Sequence, residues 1–210
     1  MKRGQFIAFE GGEGVGKSTQ AQLLAEALEA RGIAALVTRE PGGTAGAEAI
    51  RALLLEPSGE GWGARAEALL FAAARADHVA CLIEPALAEG RWVICDRFVD
   101  SSRAYQGGED GLADGDILAL HAIGSADLLP DKVLVLTASA ETATHRLAAR
   151  GGADRIESRD ADYHARVAER FRRMAEADPG RYSLIAGDGS PEETHAAILA
   201  ALVPLMDDPS

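Results

Sequence analysis

GGEGVGKST, residues 11–19, fits the pattern G-x-x-x-x-G-K-[ST] through Gly11, Gly16, Lys17 and Ser18. With this composition, a chance match anywhere in the chain is expected about 0.003 times. Its surroundings are those the pattern requires. The apolar run QFIAFE (5–10) precedes it and reads as a strand, and residues 17–31 follow with Leu23, Leu24, Ala27 and Leu28 on one helical stripe that stops at Gly32. Glycines let backbone N–H groups turn inward around phosphate oxygens, and the helix N-terminus adds positive potential. Lys17 is placed to reach the outer phosphates of a nucleoside triphosphate, and the Ser18 hydroxyl to ligate Mg²⁺. Gly12, Glu13, Gly14, Val15 and Thr19 complete the candidate ATP-binding loop.

Outward from that loop, four more apolar runs read as strands: IAALVT (33–38), WVICD (92–96), KVLVLTA (132–138) and YSLIA (182–186). Their almost unbroken apolar character suits strands covered on both faces. Helical patterns lie between them, over 64–89 (with Pro85 expected to bend or end it), 114–127 (Asp114 as N-cap), 139–150 (Ser139 as N-cap), 160–178 and 191–206. Strands alternating with helices predict an α/β fold, a five-stranded parallel sheet flanked by helices. No repeat or linker interrupts the pattern, so residues 1–210 read as a single domain. The stretches 56–63 and 150–158 are the candidate mobile segments.

Composition narrows the partners. A formal net charge of −12 without a long basic run argues against nucleic acid. Arginine greatly outnumbers lysine, which occurs only at positions 2, 17 and 132, so a lysine inside a motif carries weight. Cys81 and Cys95 are too far apart for a CxxC motif, and Cys95 reads as a core thiol. No stretch suits a membrane span or a signal-peptide core, and a cytoplasmic location is expected.

A second group of residues follows the third strand. Asp96 ends that strand as a metal-ordering acid would, and Arg97 beside it suits a second phosphate. Phe71 and Arg75, four apart, share a helix face; taken alone, Phe71 fits a core position and Arg75 a solvated one. Ser102, Tyr105 and Gln106 share another face if their segment is helical.

The segments FEGGEGVGKST (9–19), TREPGGT (38–44), LLFAAARADH (69–78), CDRFVDSSRAYQG (95–107) and ARGGADRIE (149–157) together resemble the bacterial thymidylate kinases, almost end to end. The phosphate loop alone is widespread; the ordered set is specific. The resemblance implies a P-loop nucleoside monophosphate kinase-like fold that phosphorylates dTMP to dTDP with ATP and Mg²⁺, in dTTP biosynthesis, as a homodimer. It implies that Phe71 stacks on thymine while Arg75, Ser102 and Gln106 recognise its edge. Tyr105 would disfavour a 2′-hydroxyl, Glu13 would accept from the 3′-hydroxyl, and Arg97, with Arg51, would hold the dTMP phosphate. Glu40, within TREPGGT, joins the acceptor-binding set, and Ser18 and Asp96 are the metal pair. Some members carry an arginine after the acidic residue of the phosphate loop. Gly14 stands there in this chain, so the resemblance assigns that charge to a lid of about residues 146–158, through Arg146, Arg150 and Arg155. Lys17, Asp96, Arg97 and Arg150 are the implied catalytic group. Two other readings remain: a kinase for a different nucleoside monophosphate, and a regulatory or partition-type ATPase.

Overall fold

The computed structural model describes residues 2–56, 61–108, 111–151 and 159–206, with Arg150 described by its backbone alone. Among these residues, five parallel strands, β1 (Phe6–Glu10), β2 (Ala35–Arg39), β3 (Trp92–Asp96), β4 (Lys132–Thr137) and β5 (Tyr182–Ala186), form one sheet in the order β2-β3-β1-β4-β5. All five residues of β1 are buried. Ile7 and Phe9 pack toward α1 (Lys17–Glu29) and α9 (Pro191–Met206), through Leu24, Leu28, Ile198 and Leu202. Phe6 and Ala8 face the opposite layer, which contains Phe98 and α8 (Ala161–Ala177), with Val167 and Phe171 at the contact. A strand with apolar partners on both sides needs an apolar residue at every step, which is why the run 5–10 does not alternate.

The register positions the site. Phe9 pairs with Asp96, so β1 and β3 end level and the loops that follow them emerge side by side at the carboxyl edge of the sheet. Such an edge, where the chain crosses from strand to helix on both sides of a central strand, is where ligands of open α/β sheets bind.

Several local expectations meet particular outcomes. Ser139 caps α7 (Ala140–Arg150) by accepting from the Thr142 N–H. Asp114 does not cap α6 (Asp114–Ser125): Ala113 holds the N-cap position, and Asp114 is the first helical residue, its carboxylate paired with Arg103 at 2.7 and 2.9 Å. The ion pair with a cationic fork displaced the capping role. Near Pro85 the helix changes winding before it ends. α3 (Ala64–His78) passes into a π-helical turn, Val79–Ile83, and then α4 (Glu84–Ala88). Proline lacks an N–H and crowds the carbonyl four residues back, and the wider turn accommodates that. Two further helices are α2 (Ala45–Leu55), which no apolar stripe announces and which the Thr44 side chain caps at Ala47 N, and α5 (Val99–Tyr105), which puts Ser102 and Tyr105 on a helix. Among the described residues no helix is long and apolar enough to cross a membrane. Of the two candidate mobile stretches, residues 57–60 and 152–158 lie outside the described residues.

Candidate active site

The loop after β1 turns on glycines that no other residue would replace easily. Gly11 has φ 130°, and a Cβ there would lie 2.3 Å from the Leu136 carbonyl oxygen; Gly14 has φ 72°, and a Cβ would lie 2.5 Å from that of Ala143. Gly16, at φ 99°, forms the N-cap of α1 without a side-chain cap, so the first N–H groups of the helix are left for an anion. The Lys17 ammonium folds back over the loop and donates to the carbonyls of Gly12 (2.6 Å) and Gly11 (3.3 Å). Burial, then the Arg97 charge, pulls its pKa below the ordinary lysine value, against Glu13, Asp96 and Glu10. One residue on, Ser18 Oγ donates to Asp96 Oδ2 at 2.5 Å.

Arg97 follows β3 with φ 73°, a left-handed conformation rare for a non-glycine residue. Its N–H bonds to the Phe9 carbonyl (2.9 Å), which ties it to β1. The guanidinium donates to Glu13 Oε1 (2.6 Å), Gly11 O (3.1 Å) and Ser101 Oγ (3.1 Å), and lies 5.0 Å from the centre of the Tyr105 ring. These bonds leave donors of the guanidinium free for a phosphate. Tyr105 Oη donates to the same Glu13 oxygen at 3.0 Å. Burial pushes the Glu13 carboxyl up, but the Arg97 and Lys17 charges and the Tyr105 bond outweigh it and bring it down to about 2.

Beneath Arg97 lies a residue that the sequence reading passed over. Glu10, fully buried at the end of β1, accepts from Phe98 N (2.8 Å), Ser101 N (3.1 Å) and Ser101 Oγ (2.6 Å). It thereby holds the start of α5 and the Ser101 hydroxyl that Arg97 touches. An acid closing an otherwise apolar strand was the available signal. Burial, then the Asp100 charge, raises the Glu10 carboxyl to about 8 from an ordinary 4.5, with the Ser101 bond and the Arg97 charge opposing. Its sign follows from linkage: an acid with a raised folded pKa stabilises the fold when protonated, fully below 4.5, and that contribution is lost as pH rises through about 8. Glu10→Gln cannot ionise. The melting temperature of the parent chain is therefore expected to fall relative to Glu10→Gln between about pH 5 and pH 8, measured by thermal denaturation at both. Parallel pH profiles would remove the titration from Glu10.

Across the cleft, Arg75 is 3% exposed, not solvated. Its Nε donates to Glu40 Oε2 (2.8 Å), and Nη2 donates to Ser102 Oγ (3.0 Å) and Phe98 O (3.3 Å). The other Glu40 oxygen lies 3.1 Å from His78 Nδ1, whose Nε2 is 2.7 Å from Thr38 Oγ1. A buried arginine needs such a paired, hydrogen-bonded frame. Gln106 Nε2 donates to buried Glu67 (3.0 Å), and Arg51 donates to the Pro41 carbonyl (2.8 Å).

These parts open into one cavity of about 550 Å³. From the phosphate loop and its helix come Glu13, Gly14, Gly16, Lys17, Ser18 and Thr19; from the end of β3 and α5 come Asp96, Arg97, Ser102, Tyr105 and Gln106. Of the other expected residues, Glu40, Arg51, half-buried Phe71 and Arg146 line it too, and Arg39, Pro41, Leu55, Ser101 and Leu147 are lining residues that motif and resemblance do not single out. Arg75 stands behind Ser102 and does not line the cavity. Gly11, Gly12 and Val15 face a second cavity of about 760 Å³, behind the loop and against α7 and α8. Arg146 donates to the carbonyls of Val15 (3.3 Å) and Gly189 (3.4 Å). The Arg150 side chain and Arg155 lie outside the described residues.

The family model described as thymidylate kinase matches residues 9–198. The chain is 58% identical to a thymidylate kinase of Rhizorhabdus wittichii over 205 residues, covering 97% of this chain and 99% of the relative. It is 52% identical to a thymidylate kinase of Rhodopseudomonas palustris strain TIE-1, over 95% of this chain and 89% of the relative. The crystal structure of thymidylate kinase from Ehrlichia chaffeensis superposes with a TM-score of 0.78 at 31% identity, covering 95% of this chain and 99% of that one.

Proposed function

This chain belongs to the thymidylate kinase family and phosphorylates dTMP to dTDP with ATP, in nucleotide biosynthesis, and we propose that the residues lining its 550 Å³ cavity divide that work between donor and acceptor. The carrying observation is that the phosphate-loop lysine and the Glu13–Arg97–Tyr105 cluster line one cavity with Phe71 and Gln106. Lys17 and the free N–H groups of α1 take the ATP phosphates. Arg97, supported by Arg51, holds the dTMP phosphate. An oxygen of that phosphate, already ionised, forms the new P–O bond to the γ-phosphorus, and the bond from that phosphorus to the β-phosphate bridging oxygen breaks. No strong general base is required, so the protein supplies in-line placement and charge.

Recognition of the nucleoside falls to the remaining groups. Phe71 stacks on the base and Ser102 and Gln106 address its edge, while Arg75, held by Glu40 through Nε, acts on it from behind through its bond to Ser102 Oγ. Glu13 accepts from the 3′-hydroxyl, and the Tyr105 ring disfavours a 2′-hydroxyl. Ser18 and Asp96, a hydroxyl and a carboxylate 2.5 Å apart in the cavity, suit Mg²⁺, a hard cation that takes one or two protein oxygens beside phosphate and water. Bound there, the ion would offset phosphate charge. Residues 1–210 act as one kinase domain in which about residues 146–158 serve as a lid. Arg146, Arg150 and Arg155 contribute its charge, and water exclusion limits wasteful hydrolysis. The reading includes a cytoplasmic location and a homodimer, the homodimer supported by exposed Leu53, Leu69 and Ile123 on the neighbouring helices α2, α3 and α6.

The test is ATP consumption with Mg²⁺ across dTMP, dUMP, UMP, dCMP, AMP, GMP and no acceptor. A strong response to dTMP, a weaker one to dUMP and little with UMP is expected. The gap between dTMP and dUMP should be modest, because a single methyl in an apolar pocket contributes only about 1–3 kcal/mol. Equal turnover without an acceptor would overturn the assignment of this cavity to phosphoryl transfer.

A further inference from the structure

Gln106 sits in a frame that constrains which end of its amide can face a ligand. Its backbone is pinned on both sides, by its own N–H to the Ser102 carbonyl (2.9 Å) and by the Leu112 N–H to its carbonyl (2.9 Å). The side-chain Nε2 donates to Glu67 Oε1 at 3.0 Å. Glu67 is 3% exposed and fixed on α3, and a carboxylate offers only acceptors. Both of its oxygens lie 3.4 Å from Arg159 Nη2, which holds the carboxylate from the far side. Arg159 Nη1 in turn donates to Tyr163 Oη (2.5 Å), and that hydroxyl donates to the Tyr105 carbonyl (3.0 Å), next to Gln106 in the chain. Gln106 Oε1 makes no hydrogen bond among the described residues, and Gln106 lines the cavity.

An amide with one N–H bonded to a fixed carboxylate turns its carbonyl away from that carboxylate, and its second N–H stays available. We propose that Glu67 is a positioning residue for base selection, fixing the Gln106 amide so that an acceptor, and not a donor, faces the pyrimidine. The inference rests on the reading that Gln106 meets the base. At ring position 3, thymine and uracil carry an N–H donor, whereas cytosine carries a lone pair. A fixed carbonyl there bonds the first two and opposes the third. Swinging the amide to suit cytosine would place the Gln106 carbonyl against a buried carboxylate, with two acceptors and no proton between them. The selection against a cytosine nucleotide therefore originates in a residue that does not line the cavity.

The experiment compares kcat/KM for dTMP, dUMP and dCMP in the parent, Glu67→Gln and Gln106→Leu. In Glu67→Gln the amide at 67 can donate or accept, so Gln106 is free to turn. The dTMP to dCMP ratio is expected to fall by about tenfold or more, with dCMP itself becoming a better substrate, while the dTMP to dUMP ratio stays put. A loss of folded protein lowers all three together and leaves both ratios unchanged. If Glu67→Gln leaves the dTMP to dCMP ratio unchanged while Gln106→Leu lowers it, Gln106 reads the base but Glu67 does not set its direction, and the inference falls alone. If neither variant moves the ratio, the assignment of Gln106 to the base falls with it. Should Glu67→Gln not fold, the parent carries the test through its Gln106 side-chain NH₂ resonances. The N–H bonded to Glu67 should keep its resonance position when dTMP is added, whatever the second N–H does, and loss of that bond would mean that the amide has turned and would overturn the proposal.

Discussion

Arg97→Ala is expected to lower turnover with dTMP by about 10³-fold or more while leaving ATP affinity close to that of the parent. Burial works against the Arg97 cation, but Tyr105, Glu13 and Asp96 outweigh it and hold its pKa well above the ordinary value, so the guanidinium stays charged at any working pH. Its position is equally constrained. The left-handed backbone at φ 73°, the bond to Phe9 O and the side-chain bonds to Glu13, Gly11 O and Ser101 leave it one orientation beside the phosphate loop. A fixed cation between two phosphates offsets repulsion that otherwise opposes the approach of acceptor to donor, at no reorganisation cost during transfer. Arg97→Lys should recover part of the loss, since a point charge replaces a planar fork. Arg97→Gly should recover none, although glycine suits φ 73° better than alanine does. The measurements are steady-state kcat and calorimetric ATP binding. Near-parent turnover in Arg97→Ala would exclude the residue from the transfer.

The centre of the sheet was legible because β1, β3 and β4 are buried almost throughout, on both faces. A run such as WVICD has no polar step before its closing acid to confuse it with an amphipathic helix, and Trp92–Asp96 is the strand observed. The phosphate loop was legible because glycine, lysine and serine each answer a separate demand at fixed spacing. Helix α2 was harder to see: its opening residues, TAGAEA, are small and mostly lack an apolar stripe, and its signal was the Thr44 cap with Glu48 reaching back to Gly43 N. The framework under the site was hidden for a different reason. Arg75 meets Glu40 across 35 positions, Gln106 meets Glu67 across 39, and Glu10 meets Ser101 across 91. No local spacing encodes such pairs. A lone arginine on a helix reads as solvated until the carboxylate that receives it is located. The residues assigned to contact the nucleotide were therefore available from pattern and resemblance, while those that hold them, Glu10, Glu67 and His78, came only with the fold.

Lys17→Met is expected to separate function from stability. Turnover should fall by about 10³-fold or more, because the loop loses the cation that follows the phosphate as charge moves. Stability without nucleotide should not fall with it. The Lys17 ammonium is buried against Gly11 and Gly12 carbonyls, and burial is the leading reason its pKa lies below the ordinary 10.5. A lysine whose folded pKa is lowered opposes folding while it is charged, and the penalty fades as pH rises toward 10.5. Methionine fills a similar stem without a charge to desolvate. Lys17→Met should thus melt at or above the parent temperature at pH 7, and the gap should narrow at higher pH. Scanning calorimetry at pH 7 and pH 9, beside kcat with dTMP, reads both halves. Melting well below the parent would mean that the lysine braces the loop through its carbonyl bonds, and lost turnover would then say nothing about phosphate. Retained stability with lost turnover would mean that the loop keeps a destabilising cation for the ligand it is shaped to hold.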